Sequence, residues 1–176
     1  MEHIDKFKDE DGQIDSDRIK EIVPYDAPFL LVDKILNLDK KKVVAIKNIT
    51  NDEEFLKGHL RGFPMMPFAL IVEGMGQAGT IVVRYNIKDQ EKKDVLAYWV
   101  INAESLRPVF PGCKVRYEVK YHFKLGKIAL TTCKAFLKGK MFAKAMIMFA
   151  IVDKDRFRKK ISCDYILSSK TYSYST

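Results

Sequence analysis

Two polar side chains interrupt the most apolar stretch of this sequence. Glu73 and Gln77 lie within Phe68 to Val83, four residues apart, so a helix would carry both on one face. Apart from Thr80 they are the only strongly hydrogen-bonding side chains between Phe68 and Ile81. A carboxylate buried there without a partner has its pKa raised, which prepares a general acid near neutral pH. The plainer alternative for Glu73 is a structural carboxylate held by backbone amides or a nearby lysine. His59 stands just upstream, in Gly58-His59-Leu60-Arg61-Gly62. Imidazole titrates near neutrality and suits the removal of a carbon-bound proton, while the plainer alternative is an exposed or capping loop histidine. The free backbone N–H groups near Phe68 and Ala69, at the start of the same helix, would polarise a carbonyl next to that carbon. Base, acid and oxyanion donor would then converge on one cavity.

These groups need a scaffold, and 176 residues with 47% hydrophobic and 31% charged side chains suffice for one domain with a real core. The apolar fraction excludes an intrinsically disordered chain, and nine glycines with six prolines exclude a collagen-like or linker-dominated one. The first residues show neither a basic region nor an apolar one, so no secretory signal is expected and the cytoplasm is the expected compartment. Three cysteines without a CxxC pair argue against a disulfide framework and a zinc module. The stretch from Phe68 to Val83, about 16 residues, is short for a membrane span, and its three glycines, Glu73 and Gln77 suit a buried helix instead.

The spacing predicts a short amphipathic helix before Pro24, a hairpin from Phe29–Leu38 and Val43–Thr50, and a helix from Pro67 to about Tyr85. Strands follow at Leu96–Ala103, Val115–Phe123, Ile128–Leu137 and Met141–Val152. Val115, Tyr117, Val119, Tyr121 and Phe123 alternate with charged residues and His122, a period of two that buries one face. A helix apolar on nearly every side must be surrounded, so the antiparallel sheet is expected to curl around it. Gly74, Gly76 and Gly79 each cost about 1 kcal/mol relative to alanine in a helix. That cost is tolerable where a strand must approach the helix backbone closely.

The string GHLRGFPMMPFALIVEGMGQ, Gly58 to Gln77, resembles the motif of the 3-hydroxyacyl-[acyl-carrier-protein] dehydratases of type II fatty-acid synthesis, a hot-dog-fold family. The resemblance extends through Pro28-Phe29-Leu30-Leu31-Val32-Asp33, Arg107-Pro108-Val109-Phe110-Pro111-Gly112 and Ala150-Ile151-Val152-Asp153, covering roughly Ile22 to Asp153. It implies an α+β hot-dog domain, an antiparallel sheet wrapped around a long apolar helix, paired into a dimeric double hot dog. It implies that His59 is the catalytic base and Glu73 the acid, facing each other across the dimer interface, with the Phe68 N–H on the thioester carbonyl. No metal or redox cofactor is implied. The acyl tail would enter a tunnel for which Met65, Met66, Leu70, Gln77, Trp99 and Phe110 are candidate lining residues.

The departures are concentrated around the site. The family usually has glycine where this chain has Phe68, alanines where it has Gly74 and Gly76, His-Phe-Pro where it has His59-Leu60-Arg61, and His-Arg-Tyr where it has Tyr25-Asp26-Ala27. Two functions follow as expectations: dehydration of 3-hydroxyacyl thioesters, or acyl-thioester binding in a regulatory role with little turnover. The formal charge of +8 and the cluster Lys154, Arg156, Arg158, Lys159 and Lys160 suit an acidic acyl carrier protein or the phosphates of coenzyme A. Nucleic acid is disfavoured, since no helix-turn-helix or aromatic stacking platform accompanies the charge. The expected division is an N-terminal extension over 1–21, a hot-dog domain over 22–164 and a flexible tail over 165–176.

Overall fold

The computed structural model describes residues 2–169. Seven antiparallel strands form one sheet: β1 (Ile14–Asp15), β2 (Lys34–Leu38), β3 (Lys42–Asn48), β4 (Lys93–Ser105), β5 (Lys114–Leu125), β6 (Ile128–Leu137) and β7 (Lys140–Asp153). Their order across the sheet is β1-β2-β3-β5-β6-β7-β4. Helix α3 (Phe68–Tyr85) lies against β3, β4, β5, β6 and β7, and from Gly74 to Tyr85 every residue is buried. The sheet wraps the helix because α3 has no polar face to give to water. The period of two in β5 does the same work from the other side. Val115, Tyr117 and Val119 face the helix, and Arg116, Glu118 and Lys120 face outward.

Two of the three helix glycines are close-approach positions. A methyl on Gly74 would collide with the Tyr117 ring and hydroxyl, and one on Gly79 would lie 2.6 Å from Phe149 Cζ. Gly76 differs, because a methyl there would meet only Ile147 Cδ1, at 3.9 Å. Gly76→Ala should therefore stabilise the fold by up to about 1 kcal/mol through helix propensity, while Gly79→Ala should cost about 1–3 kcal/mol through overpacking. Urea denaturation of the two variants checks this, and the reverse order would show that the ring of Phe149 moves freely.

The extension expected over 1–21 carries the expected short helix and packs onto the domain. Helix α1 (Glu2–Asp5), β1 and helix α2 (Ser16–Ile22) place Ile4, Ile14, Ile19 and Ile22 in the same hydrophobic core as α3. Asp15 caps α2 by accepting from Arg18 N, and the Asp5 carboxylate accepts from Tyr85 Oη at 3.0 Å, tying the N-terminus to the end of α3. The tail expected from residue 165 is helical as far as Ser169, in α4 (Lys154–Ser169), and residues 170–176 lie outside the described residues. Of the strand expected over Phe29–Leu38, only Lys34–Leu38 is strand; residues 29–33 are irregular, with Asp33 N donating to Ile46 O of β3, and follow a cis Ala27–Pro28 peptide. No helix among the described residues is long and apolar enough to cross a membrane.

The two sheet edges contrast. β1, two residues long, closes one side, whereas the 13-residue β4 leaves its outer edge open. Ala97, Tyr98, Trp99 and Val100 are all exposed there, next to a register shift between Ala97 and Trp99. A long apolar edge with unpaired backbone groups is a surface for another strand.

Candidate active site

His59 sits in a turn shaped by left-handed backbone at Leu60 (φ 52°) and Gly62 (φ 77°). Its Nδ1 lies 2.7 Å from the carbonyl oxygen of Met65. A carbonyl only accepts, so Nδ1 carries the proton and the lone pair of the neutral ring is on Nε2. Met66 N in turn donates to Val109 O at 2.8 Å, fastening the segment that holds the histidine to the stretch after β4.

Glu73, half-buried in the second turn of α3, has a partner on its own helix. Its Oε1 accepts from Gln77 Nε2 at 3.0 Å. Gln77 also donates to Phe29 O and accepts from Leu31 N, both at 2.8 Å. The helix side chain thus satisfies the backbone of residues 29–31 as a neighbouring strand would, which explains why that apolar run forms no strand. Gln77, 1% exposed, thus bonds Glu73 and residues 29–31 together and does not border the cavity beside Phe68. Tyr25 belongs to the same neighbourhood: it stacks edge-on against Phe29, and its phenol pKa is raised by burial and then by the Glu73 carboxylate.

Helix α3 begins at Pro67 without a side-chain cap. Leu70 N and Ile71 N bond back to Pro67 O, while the N–H groups of Phe68 and Ala69 meet no acceptor among the described residues. These two donors, at the positive end of an 18-residue helix, form an open anion-stabilising corner. Phe68 borders a cavity of about 430 Å³, lined also by Met65, Met66, Ile71, Leu106, Arg107 and Pro108.

Of the predicted lining residues, Met65 and Met66 border this cavity. Leu70 packs against the core instead, and Phe110 is engaged edge-to-face with Phe63 at 5.1 Å. Trp99, 58% exposed, stands on the open edge of β4 beside a register shift and does not border the cavity. The basic cluster of Lys154, Arg156, Arg158, Lys159 and Lys160 lies on α4, capped by Asp153 through Arg156 N and docked by Arg158 on Asp94 at 3.2 Å. Asp94 and the cavity-lining Ser105 stand near opposite ends of β4, on the order of 35 Å apart along an extended strand, so this cluster does not flank the cavity of its own chain.

Sequence reasoning missed a charged triad behind the histidine loop. Lys47 points inward from β3 and bonds both Glu53 Oε1 at 2.8 Å and Asp33 Oδ1 at 3.2 Å. Asp33 Oδ2 additionally accepts from Asn48 N and Nδ2. The position of Lys47 in a strand of alternating burial was the available signal, because a lysine on the inward face must find counterions.

A sheet wrapped around a buried glycine-rich helix, with an uncapped helix start beside a histidine and a carboxylate on that helix, defines a hot-dog protein. Among solved structures, the dehydratase heterocomplex ApeI:P from Xenorhabdus doucetiae superposes with a TM-score of 0.69 over 81% of this chain and 96% of that one, at 14% identity. A hot-dog-like protein from Thermanaerovibrio acidaminovorans gives 0.61 over 70% and 90%, also at 14% identity. In sequence the chain is 36% identical to the 3-hydroxyacyl-[acyl-carrier-protein] dehydratase FabZ of Solibacter usitatus, over 81% of this chain and 88% of that protein. It is 38% identical to the Bacillus cereus (strain AH820) enzyme of the same name, over 80% and 98%. The FabA-like domain model matches residues 23–146, and the chain belongs to that family.

Proposed function

We propose that the chain dehydrates 3-hydroxyacyl thioesters to trans-2-enoyl thioesters. The observation that carries this reading is the fixed tautomer of His59, whose free Nε2 is the base, together with a carboxyl group at Glu73 held by Gln77. His59 Nε2 takes the C2 proton while the Phe68 N–H stabilises the negative charge growing on the thioester oxygen. The C2 electron pair forms the C2–C3 double bond, the C3–O bond breaks, and the hydroxyl leaves as water with the proton of the Glu73 carboxyl. Proton exchange with solvent restores both side chains. This acid–base chemistry calls for no metal or redox cofactor.

No hydrogen bond joins His59 to Glu73 among the described residues, which suits a site completed between two protomers in a cytoplasmic homodimer. The open β4 edge is the surface for that pairing, and an isologous antiparallel contact would set one protomer's Asp94 end beside its partner's Ser105 end. The basic α4 of each protomer would then flank the other's cavity, where it could meet an acidic acyl carrier or the phosphates of coenzyme A. Hydration of a crotonyl thioester by the purified protein tests the reading, and no turnover at any protein concentration would overturn it.

The Phe68 ring at the cavity wall favours a second reading, an acyl-thioester binding protein of low turnover with a regulatory role. If the ring obstructs the site, Phe68→Gly should raise kcat/KM by about tenfold, roughly 1.4 kcal/mol of restored transition-state contact. An unchanged or lower rate would show that the ring belongs to the productive pocket.

A further inference from the structure

The face of the sheet turned away from α3 carries a second, larger cavity, of about 800 Å³, which the dehydratase reading does not use. Lys41, Lys42, Arg116, Lys120 and Lys134 line it, with His122 and Thr132 between them. Its two carboxylates are already engaged: Asp39 accepts from the backbone N–H groups of Lys41 and Lys42, and Glu118 pairs with Arg116 at 2.6 Å. Among the described residues, Lys41, Lys42, Lys120 and Lys134 have no ion-pair partner.

The strand register makes this arrangement costly in the empty state. Lys42 lies directly opposite Lys120 across β3 and β5, and Lys134 directly opposite Lys144 across β6 and β7. Like charges in directly opposed positions destabilise a sheet. The second pair is relieved, because Lys144 bonds Glu104 at 2.7 Å. The Lys42–Lys120 pair has no such relief. Lys42 and Lys120, directly opposed and both without an ion-pair partner, together with Lys41 and with Lys134 opposite Glu118, give the hollow an excess of positive charge over its two carboxylates, Asp39 and Glu118.

We propose that this outer-face cavity binds a small molecule carrying a diphosphate group, whose adjacent phosphoryl groups bridge Lys42 and Lys120. The size of the hollow and the concentration of charge on one strand pair favour such a ligand over a macromolecular surface. The site is separate from the acyl-thioester site, because it shares no lining residue with the cavity beside Phe68 and its charged residues Lys42, Arg116, Lys120 and Lys134 occupy the strand positions that alternate with the buried ones.

Calorimetric titration of the full chain with inorganic pyrophosphate, and separately with ADP, tests the proposal. Saturable binding is expected for both. Equal affinities identify the free diphosphate as sufficient, and tighter ADP binding identifies a nucleotide source. Lys42→Met/Lys120→Met should weaken pyrophosphate binding at least tenfold and abolish the rise in Tm that pyrophosphate gives the unsubstituted protein. Without ligand, the double variant should melt about 1–3 °C higher, since the repulsion is gone. Should the double variant fail to fold, Lys120→Ser carries the same binding readout. No saturable binding, or equal binding by the variants, overturns the proposal. So does a rise in KM for the acyl thioester with pyrophosphate present, which would place the ligand in the other site. Loss of a higher oligomer in the variants, with no pyrophosphate binding by either protein, overturns it in favour of a contact between copies of the chain.

Discussion

Glu73→Gln and His59→Ala should each lower the rate of crotonyl-thioester hydration at least about 100-fold, the loss expected when a general acid or base is removed. The two substitutions act through different atoms. Glutamine at position 73 can still accept from Gln77 Nε2, so the tie from α3 to residues 29–31 survives while the ionisable proton does not. Its melting temperature should match that of the unsubstituted protein, which makes the rate loss interpretable as chemistry. His59→Ala removes the bond to Met65 O as well as the base, but that bond lies in a surface turn and its loss should cost about 1 kcal/mol or less of stability. Because acid and base serve one elimination, the double variant should be little worse than either single one. Circular dichroism together with steady-state kinetics checks all three proteins. A loss of less than tenfold in a folded Glu73→Gln protein would remove Glu73 from the chemistry and leave it the structural carboxylate that its sequence context equally allowed.

That ambiguity shows how far the residues could be read before their neighbours were visible. The alternation of β5 and the unbroken apolarity of α3 are local patterns set by a single buried face, and they announced both the sheet and the helix it wraps. His59 and Glu73 stood out as candidates on weaker grounds: Glu73 as a carboxylate in an apolar run with a structural alternative, and His59 through its loop upstream of α3 and the family resemblance. Contacts between distant segments left no such pattern. Residues 29–31 read as a strand because their apolar character is real, yet their backbone is satisfied by Gln77, 46 and 48 positions away in sequence. Ile14, Ile19 and Ile22 marked a short amphipathic helix, but nothing local showed that it and Ile4 join the core around α3. The run from Lys154 to Lys160 read as a basic cluster suited to an acidic partner, and only the Asp153 cap and the Arg158–Asp94 pair reveal it as the first turns of a helix tied to β4. The same blindness to long-range partners hid the triad around Lys47.

Replacement of that lysine by methionine should be among the most destabilising single changes in the protein. Lys47 is 11% exposed at its side chain and Glu53 12%, so removing the ammonium strands the Glu53 carboxylate at a site with little water, while Asp33, 31% exposed, keeps its bonds from Asn48. Breaking a buried ion pair from one side costs about 3–5 kcal/mol, most of it the penalty of the uncompensated charge left behind. Burial by itself would lower the Lys47 pKa, but the Glu53 and Asp33 carboxylates outweigh it and the net shift is upward. A folded-state pKa above the unfolded value means that the stabilisation is complete below about 10.5, the ordinary lysine value, and disappears as pH rises through the folded-state pKa. The unsubstituted protein should therefore hold its advantage over Lys47→Met across the neutral range and lose it only in alkali. Neutralising all three positions, as Asp33→Asn/Lys47→Met/Glu53→Gln, should recover part of the loss because no charge remains unpaired. Urea denaturation at pH 7 and in alkali measures these differences, and a triple variant no more stable than the single one would show that the packing of the lysine stem, rather than its charge, holds the segment. The consequence reaches the chemistry: Glu53 directly precedes the short helical turn Glu54–Leu56, and that turn leads into His59. Lys47→Met should accordingly lower kcat in the fraction that remains folded, through a histidine no longer held at the start of α3.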